Sequence, residues 1–532
     1  MSKRIVSVIL ICMLLGGLVF HAFPDLHAEK SENSVVVTDN SNNSEVPEDT
    51  IVIWYTDESL KEYISDAALI YRQRTGKNVR MELVPGVDYL EKINEASISD
   101  NSQIPAPDLY VVTHDNLMKA YLAGLAAPIN DTEERVVENN FPGTALKAIS
   151  CDGKYVAYPL YYETNFFLYN KTYMASIAQN RIESEADLAE GQAAQAEADA
   201  NTPEPEPKKE EENVEGNAEN SENQDGSLEG VEGSEDGIVE EEPFGDEEQV
   251  ADQEVLDRLA TMIPSKISDI TTFANNYDAP EAVEAVFKWD VTDIFYNYFF
   301  VGNYMEVGGE NGDNNAIFNL YNQQVVECLK RYQDMNQYFT IESTDNYDSI
   351  LQQFIDGKLV FTIATTDAFA KIEEAQMKGE FNFDYGVAII PDVSDLLLSR
   401  GLSVTDTIAV NGYSTKKDDA NEFAGILSLD QADGLYMKAG KLACKREVPY
   451  ENAEITNVMT EYQKSMPLPK MIEMSNYWLQ LEIAFSRVWA GEDPDTVLKE
   501  LAEKMEGQIE EITYSIPVQE SITAGVQSSF TK

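Results

Sequence analysis

Polar and aromatic side chains follow the first apolar segment of the chain, in a position suited to binding a ligand. Ile51-Val-Ile-Trp54 is typical of a short buried strand, and apolar residues at helical spacing resume at Leu60. The residues in between should therefore lie at the carboxyl edge of a sheet, where open α/β proteins bind ligands. The candidates for ligand contact are Tyr55, Asp57 and Glu58. Asp57 could instead cap the following helix, and the two roles are compatible.

A second polar cluster, His114-Asp115-Asn116, follows the strand predicted for Asp108–Val112. It should lie at the same carboxyl edge, where its side chains could hydrogen-bond to the hydroxyl groups of a ligand. A helix cap formed by Asp115 is the alternative.

The scarcity of histidine and cysteine limits the chemistry open to these residues. Two of the three histidines, His21 and His27, lie close to the N-terminus, which leaves only His114. This excludes histidine-dependent triads and multi-histidine metal sites. The cysteines form no CxxC pattern, so neither a disulfide framework nor a zinc site is predicted. We expect no metal, no cofactor and no catalytic residue, although enzymes that use only carboxylates, such as glycosidases, stay open.

The candidate residues must be positioned by a sheet, and Lys154–Lys171 is its central segment. Alternating aromatic, apolar and small polar residues predict two successive strands, because Pro159 lacks an amide hydrogen and should end the first. The second is expected to begin at Phe166. The intervening Tyr161–Thr164 favours a hinge beside a ligand cleft, with Glu163 as a candidate contact. An edge-strand corner is the alternative.

Segments with strand and helix spacing alternate over most of the chain. Strands are predicted at Asn78–Val84 and Leu359–Ile363, for example, with helices between the strands. This alternation predicts an α/β fold with a parallel, helix-covered sheet. The chain has 532 residues, of which 43% are hydrophobic, enough for two domains with packed cores.

The N-terminal 28 residues are typical of a secretory signal peptide. Lys3 and Arg4 precede an apolar run from Ile5 to Phe20, and Ala28 ends a candidate cleavage site. An uncleaved anchor is the alternative. Residues 29–50 are rich in Ser, Asn, Glu and Asp, which predicts a flexible tether. We therefore expect an exported protein, at the extracellular face of a bacterial membrane or in the periplasm.

Acidic residues dominate the charge of the chain. Ninety-five Asp and Glu against 38 Lys and Arg give a net charge of −57, which repels phosphate groups and disfavours nucleic-acid and anionic-membrane partners. Residues 183–254 are especially acidic, with Pro-Glu repeats and few aromatic residues, and predict a long disordered insertion. We interpret it as an enlarged surface loop; a specific acidic interaction element is the alternative.

Two sets of residues resemble the maltose-binding-protein-like solute-binding proteins of carbohydrate ABC importers. Ala157-Tyr158-Pro159, Glu163 and Leu168-Tyr169-Asn170-Lys171 are similar to the segment in which that family crosses between its two lobes. Met474-Ser-Asn-Tyr-Trp478 resembles the Met-Ser-x-x-Trp at the start of a helix in the second lobe. The resemblance therefore implies a two-lobed periplasmic-binding-protein-like fold with a hinge between the lobes.

The resemblance also implies which residues contact the ligand. His114 and Asp115 match a sugar-contacting pair, although Asn116 replaces the family's basic residue. Trp478 is expected to stack on a sugar ring, whereas its residue type alone favours a core position.

Three further candidates follow from the same resemblance. Tyr296 and Tyr298 stand where the family has a Glu-Pro-Tyr contact, with a core position as the alternative. Asp367 replaces the usual aromatic platform, a departure that weakens a maltodextrin assignment. The implied division of the chain is lobe 1 at 51–164 with 407–452, lobe 2 at 165–406 with 453–510 around the insertion at 183–254, and a tail at 511–532.

Together these patterns predict a monomeric extracellular solute-binding protein that holds a sugar or oligosaccharide between two lobes and delivers it to ABC transporter permease subunits. Nothing covalent is expected to happen to the ligand. One alternative keeps the fold but binds a cationic small molecule such as a polyamine, because so many of the candidate residues are acidic. The other is a carboxylate-dependent glycosidase.

Overall fold

The computed structural model describes residues 49–99, 104–131, 133–200, 246–339, 341, 345–471 and 476–515. The predicted signal peptide, nearly all of the predicted tether, and the tail beyond residue 515 lie outside the described residues. So do Met474 and Ser475 of the Met-Ser-x-x-Trp segment. Within the described ranges, no helix combines the length and the apolar character needed to cross a membrane.

Strands and helices alternate through the described residues. The strands are β1 (Ile51–Tyr55), β2 (Val79–Leu83), β3 (Leu109–Thr113), β4 (Ser150–Cys151), β5 (Lys154–Tyr155), β6 (Ala157–Asn170), β7 (Ala285–Lys288), β8 (Glu306–Val307), β9 (Phe318–Asn319), β10 (Leu359–Thr365), β11 (Tyr385–Ala388), β12 (Leu402–Val410), β13 (Leu442–Ala443) and β14 (Met466–Pro467). The helices are α1 (Lys61–Thr75), α2 (Tyr89–Ile98), α3 (Leu117–Leu122), α4 (Gly143–Ala148), α5 (Lys171–Ala200), α6 (Asp246–Met262), α7 (Ile267–Asn276), α8 (Gln323–Met335), α9 (Tyr347–Ile355), α10 (Ala368–Lys378), α11 (Lys417–Gly425), α12 (Leu435–Ala439), α13 (Ala453–Lys464), α14 (Tyr477–Trp489) and α15 (Pro494–Ser515).

One long sheet in the order β2-β1-β3-β12-β6-β10-β7 runs through the molecule. Its first half is the sheet of lobe 1, where β1 is parallel to β2 and β3, and β12 lies antiparallel to β3 and β6. Its second half is the sheet of lobe 2, where β10 lies antiparallel to β6 and parallel to β7, and β11 also pairs with β6. The predicted α/β, two-lobed fold is confirmed, and β6 belongs to both lobes. The expectation of a parallel sheet was wrong for its centre, because β10, β11 and β12 all pair antiparallel with β6.

The prediction of two strands separated after Pro159 was wrong, because β6 is continuous over 14 residues. Opposite the proline, the pairing with β12 shifts register: Thr407 faces Pro159, whereas Asp406 faces Tyr161. This bulge leaves Leu160 without a partner on β12, and its carbonyl accepts a hydrogen bond from the Cys444 amide at 3.0 Å. A bulge tolerates a residue that has no amide hydrogen, so the proline does not end the strand.

The strand β6 changes partner in the middle of its length. It pairs with β12 as far as Thr164 and with β10 from Asn165 onward. Both side chains are fully buried and are fixed locally: the Thr164 hydroxyl donates to the Leu402 carbonyl at 2.9 Å, and the Asn165 amide donates to the Phe295 carbonyl at 3.0 Å. The passage from lobe 1 to lobe 2 is therefore a continuous extended strand with locally hydrogen-bonded side chains.

Each lobe has a large aromatic core. In lobe 1, Trp54, Tyr63 and Tyr110 are almost completely buried around the sheet. In lobe 2, Trp289 stacks on Phe287 with the ring centroids 4.9 Å apart, and its indole nitrogen donates to Asn297 at 2.8 Å. Burying rings of this size supplies much of the hydrophobic free energy of each lobe and leaves the interlobe strand as the shared element.

Helices α5 and α6 pack together on lobe 2 and enter the predicted acidic insertion from both ends. Arg258 of α6 donates two hydrogen bonds to Glu185 of α5, at 3.1 and 2.5 Å. Residues 183–200 and 246–254, for which we predicted disorder, are therefore helical. Their Ala- and Glu-rich sequence favours helix, and packing of one helix on the other stabilises both. The prediction for residues 201–245 lies outside the described residues.

Replacing residues 201–245 with a Gly-Ser linker of about 12 residues is expected to leave the melting temperature and ligand affinity unchanged. The contacts that join the two helices to lobe 2, including buried Met174 and Leu259, lie outside the replaced segment. Thermal melting and calorimetric titration of the shortened protein check this. A protein that no longer folds would show that the segment is an integral part of lobe 2.

Candidate functional site

The candidate site is built where the carboxyl ends of β1 and β3 meet the strands that join the lobes. β3 ends at Thr113, which pairs with Asp406 of β12, and Asp406 also pairs with Tyr161 of β6. Paired residues of neighbouring strands point to the same face of a sheet, as do residues two apart in one strand. Asp406, Tyr161 and Glu163 therefore share one face beside the interlobe passage.

Lys441 completes this face from the opposite edge of β6. It immediately precedes β13, whose Leu442 pairs with Tyr162 in antiparallel register, so Lys441 lies beside Glu163. Its ammonium nitrogen is 2.9 Å from Oδ2 of Asp57 and 5.3 Å from the ring centre of Tyr161. One lysine thus connects the β1 edge to the crossing strand.

The pKa values of the carboxyl groups around Lys441 are shifted in different directions. Burial and the neighbouring Glu163 raise the pKa of Asp406 to about 7, against the opposing effects of a Tyr161 hydrogen bond and Lys441. Burial also raises the pKa of Glu163, and Asp367 and Asp57 add to the shift while Lys441 opposes it. Burial acts to raise the pKa of Asp57 as well, but hydrogen bonds from Lys441 and Ser59 outweigh it and lower the pKa overall.

The lobe 2 side of the site consists of aromatic rings around one carboxylate. The Tyr347 hydroxyl donates to Oδ1 of Asp367 at 2.6 Å, and the Thr365 hydroxyl donates to the same oxygen. Lys371 is 2.7 Å from Oδ2 of Asp367 and 5.0 Å from the ring centre of Tyr347. Tyr296 stacks on Tyr347 with the centroids 4.8 Å apart. Asp367 is therefore held in place at the start of α10.

Asp57, Glu163 and Asp367 lie close enough for their charges to interact, as do Asp115 and Asp406. Asp57 of lobe 1 and Asp367 of lobe 2 both act on the pKa of Glu163, and Asp115 acts on that of Asp406. We name this set the cleft cluster: Asp57, Asp115, Tyr161, Glu163, Tyr347, Asp367, Lys371, Asp406 and Lys441. No group of three or more His, Cys, Asp or Glu side chains within the described part of the chain is arranged to hold a metal ion.

The structure brings several of the predicted site residues together. Asp57, Asp115, Glu163 and Asp367 belong to the cleft cluster, and Tyr296 packs against it through Tyr347. Asp57 also caps the short helical turn that follows β1, accepting from the Ser59 amide at 2.9 Å, so both roles considered for it are compatible with its position. Next to Asp57, Tyr55 is buried and Glu58 is exposed.

His114 lies behind the cleft rather than in it. The ring is fully buried: Nδ1 accepts from the Thr405 amide at 3.0 Å, so Nε2 carries the proton and donates to the Leu468 carbonyl at 3.0 Å. Burial lowers its pKa to about 4, with Asp115 opposing the shift. Both nitrogens are therefore occupied by the protein, which corrects the expectation that His114 contacts the ligand. The ring instead joins β12 to the segment that leads to α14.

Tyr298 and Trp478 form an aromatic pair in lobe 2. Tyr298 is 1% exposed and its hydroxyl donates to the Met466 sulfur at 3.7 Å, so the structure places it in the core of lobe 2. Trp478 is half-buried, with its ring edge-on to Tyr298 at 5.9 Å and to Tyr477 at 4.7 Å. Part of the indole stays accessible, so the geometry is compatible with stacking on a ligand.

Asp406 and Lys441 are central members of the cleft cluster that the sequence patterns did not indicate. A detectable signal for Asp406 was its position as a carboxylate within an otherwise apolar and Ser/Thr segment, since buried acids are concentrated at functional sites. Lys441 gave no such signal, because only the pairing of β13 with β6 brings it beside Glu163. Tyr347 and Lys371 were likewise indistinguishable from ordinary helix residues.

Comparison with known proteins agrees with this architecture. Residues 67–443 match the model of the family described as bacterial extracellular solute-binding protein. The maltodextrin-binding protein MdxE of Bacillus subtilis (strain 168) is 24% identical over 238 residues, which are 41% of this chain and 53% of that protein. The chain thus spans about half the length of this curated relative.

Solved structures show the same fold. An extracellular solute-binding protein of Staphylococcus aureus in complex with maltose has 18% identity and a TM-score of 0.62, with 88% of this chain and all of that chain covered. The maltose-binding periplasmic protein MalE of Listeria monocytogenes has 17% identity and a TM-score of 0.58, with 87% and 98% covered. These neighbours and the matched family are binding proteins. Because the family model covers well over half of the sequence, this chain belongs to the bacterial extracellular solute-binding protein family.

Proposed function

We propose that this protein binds a neutral sugar or oligosaccharide between its lobes and presents it to the permease of an ABC importer. The observation that carries the proposal is Glu163. Its half-buried carboxylate lies on the crossing strand and has no hydrogen-bond partner among the described side chains and backbone groups. A desolvated acceptor at this point is stabilised when a ligand hydroxyl donates to it.

The surrounding groups fit the chemistry of sugars. Carboxylates accept hydrogen bonds from paired hydroxyls, and the faces of aromatic rings pack against the apolar faces of pyranose rings. The cleft supplies Asp57 from lobe 1, Asp367 from lobe 2, and the rings of Tyr161 and Tyr347. The names of relatives support this class: maltose and maltodextrin are the ligands given in the descriptions of the matched proteins.

Ligand capture would proceed by closure of the lobes without covalent chemistry. A ligand that contacts both Asp57 and Asp367 favours the conformation in which the lobes approach each other, and the closed form would be the one a permease recognises. We propose an exported monomer at the extracellular face of a bacterial cell membrane or in the periplasm, in keeping with the family.

A cationic ligand is the second candidate, and the charge of the cleft cluster favours it. The cluster contains five carboxyl groups and two lysines, Lys371 and Lys441. A polyamine or another organic ammonium ion would find acceptors on both lobes.

Calorimetric titration separates the two candidates. We expect maltose, maltotriose and other neutral oligosaccharides to give saturable binding and spermidine to give none. Glu163→Gln should weaken sugar binding at least about tenfold, since an amide replaces a desolvated carboxylate acceptor. Glu306→Gln, at an exposed glutamate of lobe 2, is the matched control.

Small-angle scattering provides a second readout of the same proposal. A saturating sugar should reduce the radius of gyration through lobe closure. Binding of spermidine alone would establish the cationic candidate, and release of shortened sugars on long incubation would indicate a glycosidase.

A further inference from the structure

Lys441 lies among the acidic side chains of the cleft cluster, close to Asp57, Glu163 and Asp406. It pairs with Asp57 at 2.9 Å, lies over the ring of Tyr161, and is only 23% exposed. Burial acts to lower its pKa, but the Asp57 hydrogen bond and the charges of Glu163 and Asp406 hold the pKa above its usual value. The lysine is therefore a permanently charged group within the cleft.

Its position is the one that a bound ammonium group would take. A cation between Asp57 and Glu163, over the face of a tyrosine, has two carboxylates and a ring quadrupole as partners. Lys441 has these partners already, so an external cation entering the same space would meet a like charge in partly desolvated surroundings. Like charges placed together in this way repel each other strongly, and such repulsion is a common basis of discrimination against a wrong ligand.

The same lysine orients the acceptors that remain for a sugar. Asp57 Oδ2 pairs with the Lys441 ammonium group, and Asp57 Oδ1 accepts a hydrogen bond from the Ser59 amide. These two contacts fix the orientation of the carboxylate and leave one lone pair free on each oxygen. Carboxylates fixed in this way and balanced by an internal charge can accept hydroxyl protons without attracting a counter-ion from solution.

We propose that Lys441 is the internal counter-ion that determines the ligand class of the cleft: it excludes organic ammonium ions and directs Asp57 and Glu163 toward the hydroxyls of an uncharged ligand. The inference rests on the proposed sugar-binding function and adds a specificity-determining residue to it. Because it concerns which ligands are rejected, it can be measured even before the natural sugar is identified.

The test is Lys441→Met, which keeps the length and apolar stem of the side chain and removes the charge. We expect spermidine, undetectable with the wild-type protein, to bind with saturation, at least about tenfold more tightly than the wild-type detection limit. Neutral malto-oligosaccharides should bind at least about tenfold more weakly, because Asp57 loses the group that orients it. Lys441→Arg retains the charge and should restore both the rejection of spermidine and most of the sugar affinity.

Lys445→Met is the matched control. Lys445 lies four residues further along the same segment, is 27% exposed, and pairs with Asp433 at 3.0 Å outside the cleft cluster. Lys445→Met changes the net charge by the same amount as Lys441→Met. If Lys445→Met also gained spermidine binding, the gain would follow from the net charge of the protein and not from the position of Lys441, and the proposal would be overturned. Lys441→Gln, which can still donate a hydrogen bond to Asp57, replaces Lys441→Met if the latter does not fold.

The outcomes separate the inference from the proposed function. If the wild-type protein binds no sugar and no amine, but Lys441→Met gains spermidine binding, the counter-ion role stands and the sugar assignment fails. If the wild-type protein binds spermidine with Lys441 in place, or if no charge-removing variant gains it, Lys441 does not determine the ligand class.

Discussion

Asp406→Asn is expected to stabilise the folded protein at pH 8 by up to about 4 kcal/mol, while leaving its stability near pH 4 almost unchanged. Asp406 is 9% exposed, and its pKa is raised from the ordinary 3.8 to about 7, by burial first and then by Glu163. About three pKa units correspond to the stated free energy at about 1.4 kcal/mol per unit. The asparagine is a near-isostere that carries no charge at any pH.

The direction of this pH dependence of stability follows from the number of protons that the folded and unfolded states bind. Between pH 4 and 7 the folded protein keeps the Asp406 proton that the unfolded chain has already lost, so the stabilising contribution is complete below pH 4 and is lost as the pH rises through 7. The groups that face Asp406 are Glu163 and Asp115, which strengthen the effect, and Tyr161 and Lys441, which weaken it. The wild-type protein should therefore lose stability across this range, and the variant should lose much less.

Urea unfolding at a series of pH values from 4 to 8 measures the effect. Asp257→Asn, at an exposed position on α6, should show the wild-type pH profile and serves as the control. A variant that is less stable than the wild type at pH 8 would show that the ionised Asp406 makes favourable interactions that exceed its desolvation. Sugar affinity measured on the same variant indicates whether the carboxyl also contacts the ligand.

Trp478→Ala is expected to reduce sugar affinity roughly ten- to a hundredfold, with a smaller effect on stability. A stacked aromatic face contributes on the order of 1–3 kcal/mol to binding, by analogy with bases on aromatic side chains. Because the indole is only half-buried, its removal should cost less than the roughly 3–5 kcal/mol typical of a core tryptophan. Calorimetric titration and thermal melting on the same preparation give both quantities.

Trp489→Ala is the matched control, at the other end of the same helix. Trp489 is also partly buried, but it packs against the lobe 2 core on Trp289 and Tyr332, with centroid distances of 5.6 and 5.0 Å. We expect it to lower stability and to leave affinity nearly unchanged. If the two variants behave alike, with unchanged affinity and a large loss of stability, Trp478 is a core residue and plays no part in the site.

The local patterns of the sequence were sufficient to predict the general fold. Alternating strand and helix periodicity reflects which face of each element is buried, so it predicts an α/β sheet without knowledge of the long-range contacts. Pro159 shows the limit of such rules, because the register shift that accommodates it depends on β12, a strand some 250 residues further along the chain. The contact of the helix in 183–200 with α6 likewise joins segments far apart in the chain, as the Arg258–Glu185 hydrogen bond shows.

Some residues of the site could likewise be predicted from local sequence features, and others could not. Asp57 and Glu163 could be singled out because one follows a strand end and the other lies at a change of pattern, and both features are local. The burial of His114 and Tyr298 could not be predicted from residue type, since each is common in cores and in binding sites alike. Asp406 and Lys441 reach Glu163 only through the pairing of β12 and β13 with opposite edges of β6.

The sequence by itself therefore determined the class of fold and a partial set of ligand-binding candidates, because periodicity and chain order are properties of neighbouring residues. Only the tertiary structure decided which carboxylates share an electrostatic environment and which lysine balances them. Charge interactions depend on distance in space and on burial, and both are set by strand pairings between segments hundreds of residues apart.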